Sequence, residues 1–187
     1  MFQVRLHGRG GQGVVTAAEM LSIAAFLEGH HAQAFPSFGS ERMGAPVVSF
    51  CRIDDKPIRL REPIMEPDAV IVQDVTLLGA VPVFQGLHSD GYVIVNSTKT
   101  LEELGLAAAL KALPEGHVRV VPATELAIRH VGRPVPNAAL LGAFAAVSGQ
   151  LQFTSVAAAI RDKFQGAVGE GNVEAAQAAF DAVAVPA

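Results

Sequence analysis

Glycines cluster near the N-terminus, in residues 8–13. The apolar residues 2–6 precede the cluster and an alanine-rich segment with helical spacing, residues 14–27, follows it, so the pattern predicts a strand, a tight turn and a helix. Glycine allows positive φ angles and lets a ligand approach the backbone closely. The free N–H groups at the start of such a helix favour an anion. We therefore expect an anionic cofactor group at this turn, bound by Gly8, Arg9, Gly10, Gly11, Gln12 and Gly13.

The spacing of Gly8, Gly10 and Gly13 matches the dinucleotide-binding fingerprint. That fingerprint also requires an acidic residue about 20 positions further on, at the end of the second strand. The predicted second strand covers residues 31–35 and ends without a carboxylate, which weakens this reading. A stand-alone dinucleotide-binding protein is therefore kept as the alternative. In a third interpretation, the glycines only let the first helix pack closely on the first strand.

A second candidate site is the loop of residues 35–46, which should lie at the C-terminal edge of a strand, where open α/β sheets bind ligands. Arginine holds phosphates and carboxylates through paired N–H groups, so Arg42 joins the candidate cofactor-binding residues. The apolar side chains of the loop indicate a surface that another protein covers, although the loop could equally fold back over its own core. The candidate interface residues are Phe35, Pro36, Phe38, Glu41 and Met43.

Composition excludes several classes of protein. The formal net charge is -4 and basic residues form no runs, which argues against nucleic acid as a partner. No stretch approaches the roughly 18 to 20 apolar residues of a membrane span, and the N-terminus does not resemble a signal peptide, so we expect a cytoplasmic protein. The single cysteine, Cys51, cannot build an iron–sulfur cluster or a structural zinc site. The adjacent His30 and His31 would point to opposite sides of an extended segment and the other four histidines are scattered, so we predict no metal ligands in this chain.

No group of residues predicts catalysis by this chain alone. Serine, glutamate and histidine side chains are present, but no serine lies in a Gly-x-Ser-x-Gly turn and no spacing brings a base next to a nucleophile. We therefore assign no catalytic residue.

The rest of the chain predicts apolar strands that alternate with helices, within a single domain of residues 1–187. We expect an α/β fold, a three-layer sandwich with a mostly parallel sheet, an antiparallel hairpin and a helical C-terminus. The hairpin pairs residues 46–53 with 57–60, and a capping box at Thr100 and Glu103 predicts a helix to residue 113. The further strands cover residues 69–73, 91–95 and 117–121, and the further helices cover 122–130, 137–148, 154–164 and a last segment from about 172.

Three segments, residues 8–17, 33–46 and 137–149, closely resemble the gamma subunit of pyruvate:ferredoxin and related 2-oxoacid:acceptor oxidoreductases. The resemblance covers the whole chain, and the first two segments together make it specific. It implies a subunit of a complex that oxidatively decarboxylates a 2-oxoacid to an acyl-coenzyme A and passes the electrons to ferredoxin or an NAD-linked acceptor. The same domain occurs in the beta subunit of indolepyruvate oxidoreductase, so the resemblance does not identify the oxoacid.

The resemblance also implies where the cofactors are held. Thiamine diphosphate and Mg²⁺ belong mainly to the alpha and beta subunits, and iron–sulfur clusters to cysteines of the beta subunit and the small, ferredoxin-like delta subunit. This chain then holds no cofactor alone and is inactive without its partners. The glycine turn and Arg42 are expected to face the anionic groups of the thiamine and coenzyme A site, while Phe35, Phe38 and Met43 contact neighbouring subunits.

Overall fold

The computed structural model describes residues 1–37 and 43–184. In this part of the chain, six strands form one sheet, with helices on both faces. The strands are β1 (Phe2–Arg9), β2 (His31–Pro36), β3 (Pro46–Asp54), β4 (Ala69–Val72), β5 (Tyr92–Asn96) and β6 (Val118–Val121). The helices are α1 (Val14–Leu27), α2 (Ala107–Leu110), α3 (Ala123–Val131), α4 (Asn137–Ser148), α5 (Phe153–Lys163) and α6 (Gly166–Ala184), with a 3₁₀ turn at Val75–Leu77.

The sheet is mixed, with the strand order β2-β3-β1-β4-β5-β6. Strands β1, β4, β5 and β6 run parallel, so their carboxyl ends meet at one edge. Strand β3 pairs antiparallel with β1 on one side and with β2 on the other. This arrangement confirms the predicted α/β class and mostly parallel sheet. It also places a switch in strand order beside β1, because the chain continues to β2 and β3 on one side and to β4 on the other.

Two apolar clusters hold the three layers together. Along β4, Ile71 faces the layer formed by α1, α4, α5 and α6, where it joins the buried Phe144. Val70 and Val72 face the opposite side and pack against Leu77 and other residues of the 3₁₀ turn, α2 and their connecting loops. Strands buried on both faces explain the continuous apolar runs seen in the sequence.

The bounds of α1 and α4 agree with those predicted. Gly29 follows α1 with a φ of 84°, and Gly149 follows α4 with a φ of 62°. Both angles lie in the left-handed region that glycine adopts without strain, and this is why glycine ends many helices. The Gly149 N–H donates to the carbonyl of Ala145, which satisfies one of the last free carbonyls of α4.

The predicted hairpin between residues 46–53 and 57–60 is wrong. Strand β3 pairs with β1 and β2, and residues 57–60 form no strand. Instead, this segment lies beside β2 and β3, where the Leu60 carbonyl accepts a hydrogen bond from Gln33 Nε2 and the Glu62 carbonyl accepts one from Arg52 Nη2. The Gln33 side chain thus satisfies a carbonyl of the segment itself, and the Arg52 side chain satisfies one just after it. Pro57 has no N–H to offer a ladder.

Two helix predictions also need correction. The capping box forms, with the Thr100 N–H donating to Glu103 and the Glu103 N–H donating to the Thr100 hydroxyl. The chain then turns at Gly105, whose φ is 70°, so α2 covers only four residues. The last helix, α6, begins at residue 166 and not near 172. Its glycines pack against backbone, since a Cβ at Gly169 would overlap the carbonyl oxygen of Phe164.

Among residues 1–37 and 43–184, no helix combines the length and the apolar character needed to cross a bilayer.

Candidate functional site

The glycine turn connects β1 to α1 and needs glycine at several positions. Gly11 and Gly13 have φ angles of 92° and 71°, which other residues rarely adopt. A Cβ at Gly13 would also lie 2.5 Å from Asn137 Nδ2, and one at Gly8 would lie 2.5 Å from Val14 Cγ2. Close packing therefore explains Gly8 and part of the requirement at Gly13. It does not explain Gly11, whose Cβ would meet only the side chain of Met43.

Hydrogen bonds from Gln12 fix the shape of this turn. Gln12 Oε1 accepts from the Arg9 N–H at 2.8 Å, and Gln12 Nε2 donates to Asp74 at 2.7 Å. The Gln12 carbonyl accepts a hydrogen bond of 2.8 Å from Gln73, the residue after β4. Burial raises the pKa of Asp74, but hydrogen bonds from Thr76 and Gln12 outweigh burial and leave that pKa below its usual value. An ionised Asp74 thus ties the turn to the end of β4.

Arg9 connects the same turn to a third segment. Its Nε donates to Thr76 Oγ1 at 2.9 Å and lies 3.5 Å from Asp74, while its Nη1 donates to the Gly44 carbonyl at 3.0 Å. Backbone hydrogen bonds between Gly10 and residues 44–45 reinforce this connection. The end of β1, the end of β4 and residues 43–45 are therefore held as one unit around the glycine turn.

A crevice of about 770 Å³ opens beyond the carboxyl ends of β1, β4 and β5. Its volume lies in the range of about 300–1,000 Å³ found for ligand and cofactor pockets. It also lies where strand order reverses, the place at which open α/β sheets bind ligands. Its lining includes Gly10, Gly11, Gln12, Gln73, Asn96 and Lys99.

Polar groups surround this crevice at different depths. Gln73 is 1% exposed, and its Oε1 has no hydrogen-bond partner among the described residues. Asn96 links the ends of two strands, because its Nδ2 donates to the Gln73 carbonyl and to the Thr124 hydroxyl. Lys99 is exposed at the rim and supplies a positive charge. The crevice thus offers backbone and amide groups inside and a cation at its mouth.

The structure brings most of the predicted cofactor-binding residues together at the turn. Gly10, Gly11 and Gln12 line the crevice, whereas Arg9 and Gly13 line a smaller adjoining recess at the start of α1. Gly8 lies within β1 and contacts α1. Arg42 lies outside the described residues.

The predicted interface residues fall in two places. Met43 is 86% exposed and lines the crevice. Phe35 and Pro36 belong to the edge strand β2, where the Phe35 ring lies 5.1 Å from the ring of Phe50. Phe38 and Glu41 are outside the described part of the chain.

Sequence reasoning missed Gln73, Asp74 and Lys99 as residues of this site. Gln73 is the last residue of the strand predicted at 69–73, Asp74 follows it, and Lys99 comes four residues after the strand predicted at 91–95. Polar residues at the carboxyl ends of parallel strands meet at one edge of the sheet. That signal was available, but it becomes specific only when the strand order is known.

The sheet topology also bears on the dinucleotide fingerprint. In that motif the strand after the first helix lies beside the first strand and presents an acidic residue to the ribose. Here β3 lies between β1 and β2, and β2 ends at Pro36. The strand that would carry the acidic residue is therefore displaced from the crevice.

The mixed sheet and the crevice at its switch in strand order define an α/β protein of the ligand-binding type, and comparison with known proteins identifies the family. Residues 3–182 match the profile of the family described as "Pyruvate ferredoxin/flavodoxin oxidoreductase". The chain belongs to this family.

Individual relatives match along nearly their whole length. The chain is 50% identical over 181 residues to the pyruvate/ketoisovalerate oxidoreductases common subunit gamma of Pyrococcus abyssi, covering 97% of this chain and 96% of that one. It is 49% identical to the pyruvate synthase subunit PorC of Methanocaldococcus jannaschii, with the same coverage. The crystal structure of the pyruvate oxidoreductase subunit PORC of Thermotoga maritima superimposes with a TM-score of 0.80 at 34% identity, over 96% of this chain and 95% of that chain.

A more distant structure shares the fold. The 2-oxoglutarate:ferredoxin oxidoreductase of Magnetococcus marinus, with 2-oxoglutarate, coenzyme A and succinyl-CoA bound, superimposes with a TM-score of 0.69 at 16% identity. The match covers 98% of this chain and 31% of that chain. The fold described here thus forms one part of a larger polypeptide in that enzyme.

Proposed function

We propose that this chain is the gamma-type subunit of a multi-subunit 2-oxoacid:acceptor oxidoreductase. The complex decarboxylates a 2-oxoacid to an acyl-coenzyme A and passes electrons to ferredoxin or a similar acceptor. The observation that carries this proposal is the end-to-end match to subunits of pyruvate and ketoisovalerate oxidoreductases at 50% identity. Such identity over 97% of the chain supports the same place in a complex.

The redox cofactors belong to other subunits in this proposal. Alpha and beta subunits hold thiamine diphosphate and Mg²⁺, and the beta and delta subunits hold the iron–sulfur clusters. The chemistry of Cys51 supports this division. It is the one cysteine of the chain, it is fully buried, and burial raises its pKa to about 12, so it remains a thiol at neutral pH. A ligand to iron must be a thiolate that the metal can reach.

The crevice beyond β1, β4 and β5 is the proposed contact with coenzyme A. The residues fit such a group, because the positive-φ glycines leave the backbone of the turn open and the volume suits a long cofactor. Gly10 and Gly11 would face the phosphates, which would reach toward the start of α1 in the adjoining recess. Lys99 at the rim, together with Arg42, would supply positive charge. Coenzyme A supplies the thiol that receives the acyl group.

Replacement of Lys99 tests the assignment of coenzyme A to the crevice. In the assembled complex, Lys99→Met is expected to raise the KM for coenzyme A about tenfold, because it removes a phosphate-binding charge worth roughly 1.4 kcal/mol. The kcat and the KM for the 2-oxoacid should stay unchanged. Lys111→Met, at an exposed lysine after α2, serves as the matched control and should change none of these constants. An unchanged coenzyme A dependence in Lys99→Met would contradict the assignment.

Arg42→Ala tests the second proposed cation in the same assay. We expect a raised KM for coenzyme A, and a normal coenzyme A dependence would remove Arg42 from the site.

Native co-purification tests the function itself. The tagged chain should bring down companions with thiamine-binding and cysteine-rich sequences, and the eluate should reduce ferredoxin when given a 2-oxoacid and coenzyme A. The alternative, a stand-alone dinucleotide-binding protein, predicts a different result. In that case NAD, NADP or FAD would raise the unfolding midpoint of the isolated chain, since a ligand that binds only the folded state stabilises it.

A further inference from the structure

Met43 presents an apolar side chain at the exposed edge of the crevice beyond β1, β4 and β5. Its side chain is 86% exposed and lines the crevice. A single apolar residue on a protein surface needs no special explanation. Met43 differs from such a residue because hydrogen bonds fix its backbone beside the glycine turn and its side chain lies against that turn.

The backbone around Met43 is joined to the glycine turn at several points. Met43 forms a parallel bridge with Gly10. The next residue, Gly44, donates its N–H to the Gly10 carbonyl at 3.1 Å, and the Gly44 carbonyl accepts from Arg9 Nη1 at 3.0 Å. The Gly10 N–H donates to the Ala45 carbonyl at 2.9 Å. The exposed thioether is therefore carried by a part of the backbone that is held in place.

The thioether of Met43 lies against Gly11. A Cβ built at Gly11 would be 2.7 Å from Met43 Sδ and 3.1 Å from Met43 Cε. Gly11 has a φ of 92° and lines the crevice, where the phosphates of coenzyme A are proposed to bind. A ligand that runs from this glycine into the crevice therefore passes the thioether.

We propose that Met43 binds the pantothenate arm of coenzyme A at the dimethyl-substituted carbon next to the diphosphate. This inference rests on the proposed assignment of coenzyme A to the crevice. In coenzyme A a single methylene group separates the diphosphate from that carbon, so phosphates at Gly10 and Gly11 bring its methyl groups to the Met43 thioether. Methionine is unbranched and polarizable, so its side chain adapts to the shape of such a group.

The opposite end of the diphosphate offers no comparable partner for a thioether. There the ribose follows, and its hydroxyl and phosphate groups are polar. The adenine ring lies beyond the ribose, further from the phosphates than the dimethyl-substituted carbon is. Met43 therefore contributes to recognition of the arm and not of the nucleotide.

Competitive inhibition of the assembled complex tests this proposal. Desulfo-coenzyme A contains the arm but lacks the thiol, whereas adenosine 3′-phosphate 5′-diphosphate contains the phosphates and no arm. Met43→Ala should raise the inhibition constant of desulfo-coenzyme A about fourfold, roughly the contribution of one buried methylene group. The inhibition constant of the nucleotide should not change. Met43→Leu keeps a large apolar side chain and should restore most of the affinity for desulfo-coenzyme A.

Two further variants complete the test. Met65→Ala is the matched control, because Met65 is another exposed methionine, 66% exposed, and lines a different cavity. It should change neither inhibition constant. Lys99→Met should weaken both inhibitors, because the phosphates are common to them, and it separates the contact with the arm from the assignment of coenzyme A to the crevice.

The possible outcomes distinguish the two proposals. If Lys99→Met weakens both inhibitors and Met43→Ala weakens neither, the contact with the arm is overturned and the assignment of coenzyme A stands. If neither variant changes either constant, both proposals fail. The contact with the arm is also overturned if Met43→Ala weakens the nucleotide equally or releases partner subunits from the complex, since Met43 would then contact the adenosine or a neighbouring subunit.

Discussion

Gly13 must be glycine both because of its backbone conformation and because of close packing, whereas at Gly29 only the backbone conformation requires glycine. Both residues have positive φ angles, 71° at Gly13 and 84° at Gly29. No atom lies within 4 Å of a Cβ built at Gly29, whereas a Cβ at Gly13 would lie 2.5 Å from Asn137 Nδ2. Asn137 also donates a hydrogen bond to the Gly13 carbonyl, so a displaced Asn137 would loosen the start of α1 from α4.

Gly29→Ala should therefore measure the backbone strain alone, a loss of about 1–2 kcal/mol in the free energy of unfolding. Gly13→Ala should lose about 1 kcal/mol more, because it also disturbs the Asn137 contact. Urea denaturation of the two variants gives this difference. Equal losses would show that the Asn137 contact does not contribute.

His7 predicts how stability depends on pH. Burial and the charge of Arg5 lower the pKa of His7 from 6.5 to about 4 in the folded protein. Below pH 6.5 the unfolded chain therefore takes up a proton that the folded protein refuses until about pH 4. Stability is unaffected by this group above that window and falls as the pH drops through it, by about 3 kcal/mol in total.

His7→Gln should flatten this acid-side loss, because glutamine can accept from Arg5 without titrating. The free energy of unfolding, measured by urea denaturation at several pH values between 4 and 6.5, should change less steeply than in the unaltered protein. His31→Gln, at an exposed histidine of β2, is the control and should keep the original slope. A slope that is the same in all three proteins would refute the role of His7.

At the level of single residues, the sequence predicted the glycine turn but not the groups around it. The residues of the turn are adjacent in the chain, so local spacing identifies them. Gln73 and Lys99 come from separate strand ends and meet the turn only because β4 and β5 lie beside β1 in the sheet. His7 and Arg5 look like ordinary strand residues until the alternation along β1 places them on the face without α1.

The contact between α4 and α6 depends on a glycine in α4. A Cβ at Gly142 would overlap the carbonyl oxygen of Ala176, so the backbones of the two helices approach closely at this point. The alanines on both helices extend the same close packing. The small side chains of α4 are thus explained by the crossing of two helices.

Gly142→Ala should force the two helices apart and cost about 3 kcal/mol of the free energy of unfolding. Thermal unfolding followed by circular dichroism measures this loss. Gly79→Ala is the matched control, because nothing lies within 4 Å of its Cβ and its φ is not positive. The control should be neutral or slightly stabilising. An equally mild effect of Gly142→Ala would contradict the close approach.

Helices and strands were predicted best where sequence features close to their ends define them. Helices α1 and α4 end at glycines whose left-handed conformation stops a helix wherever it lies. The partner of β3 could not be predicted, because the choice between residues 57–60 and the distant β1 depends on tertiary packing. The start of α6 was placed too late because its glycines normally indicate a turn, and here they serve close packing.

At the scale of the whole molecule, the predicted contact between the loop of residues 35–46 and other subunits can be tested by mutation. Phe38→Asp is expected to reduce co-purification with the partner subunits at least tenfold, roughly the effect of losing an apolar anchor at an interface. Val168→Asp, a comparable change at an exposed apolar residue of α6, is the control and should leave the complex intact. Quantitative mass spectrometry of the eluates measures both. An intact complex with Phe38→Asp would show that this loop lies away from the interface.

The position of β1 in the middle of the sheet also governs how the chain can fold during synthesis. Its neighbours come much later in the sequence, since Val4 pairs with Cys51 on one side and with Ala69 on the other. A ribosome that has released only the first forty residues has therefore exposed this strand with both edges open, because β3 begins at Pro46. Such edges readily recruit other nascent chains, so the N-terminal third of this protein is the part that chaperones should occupy until β4 emerges.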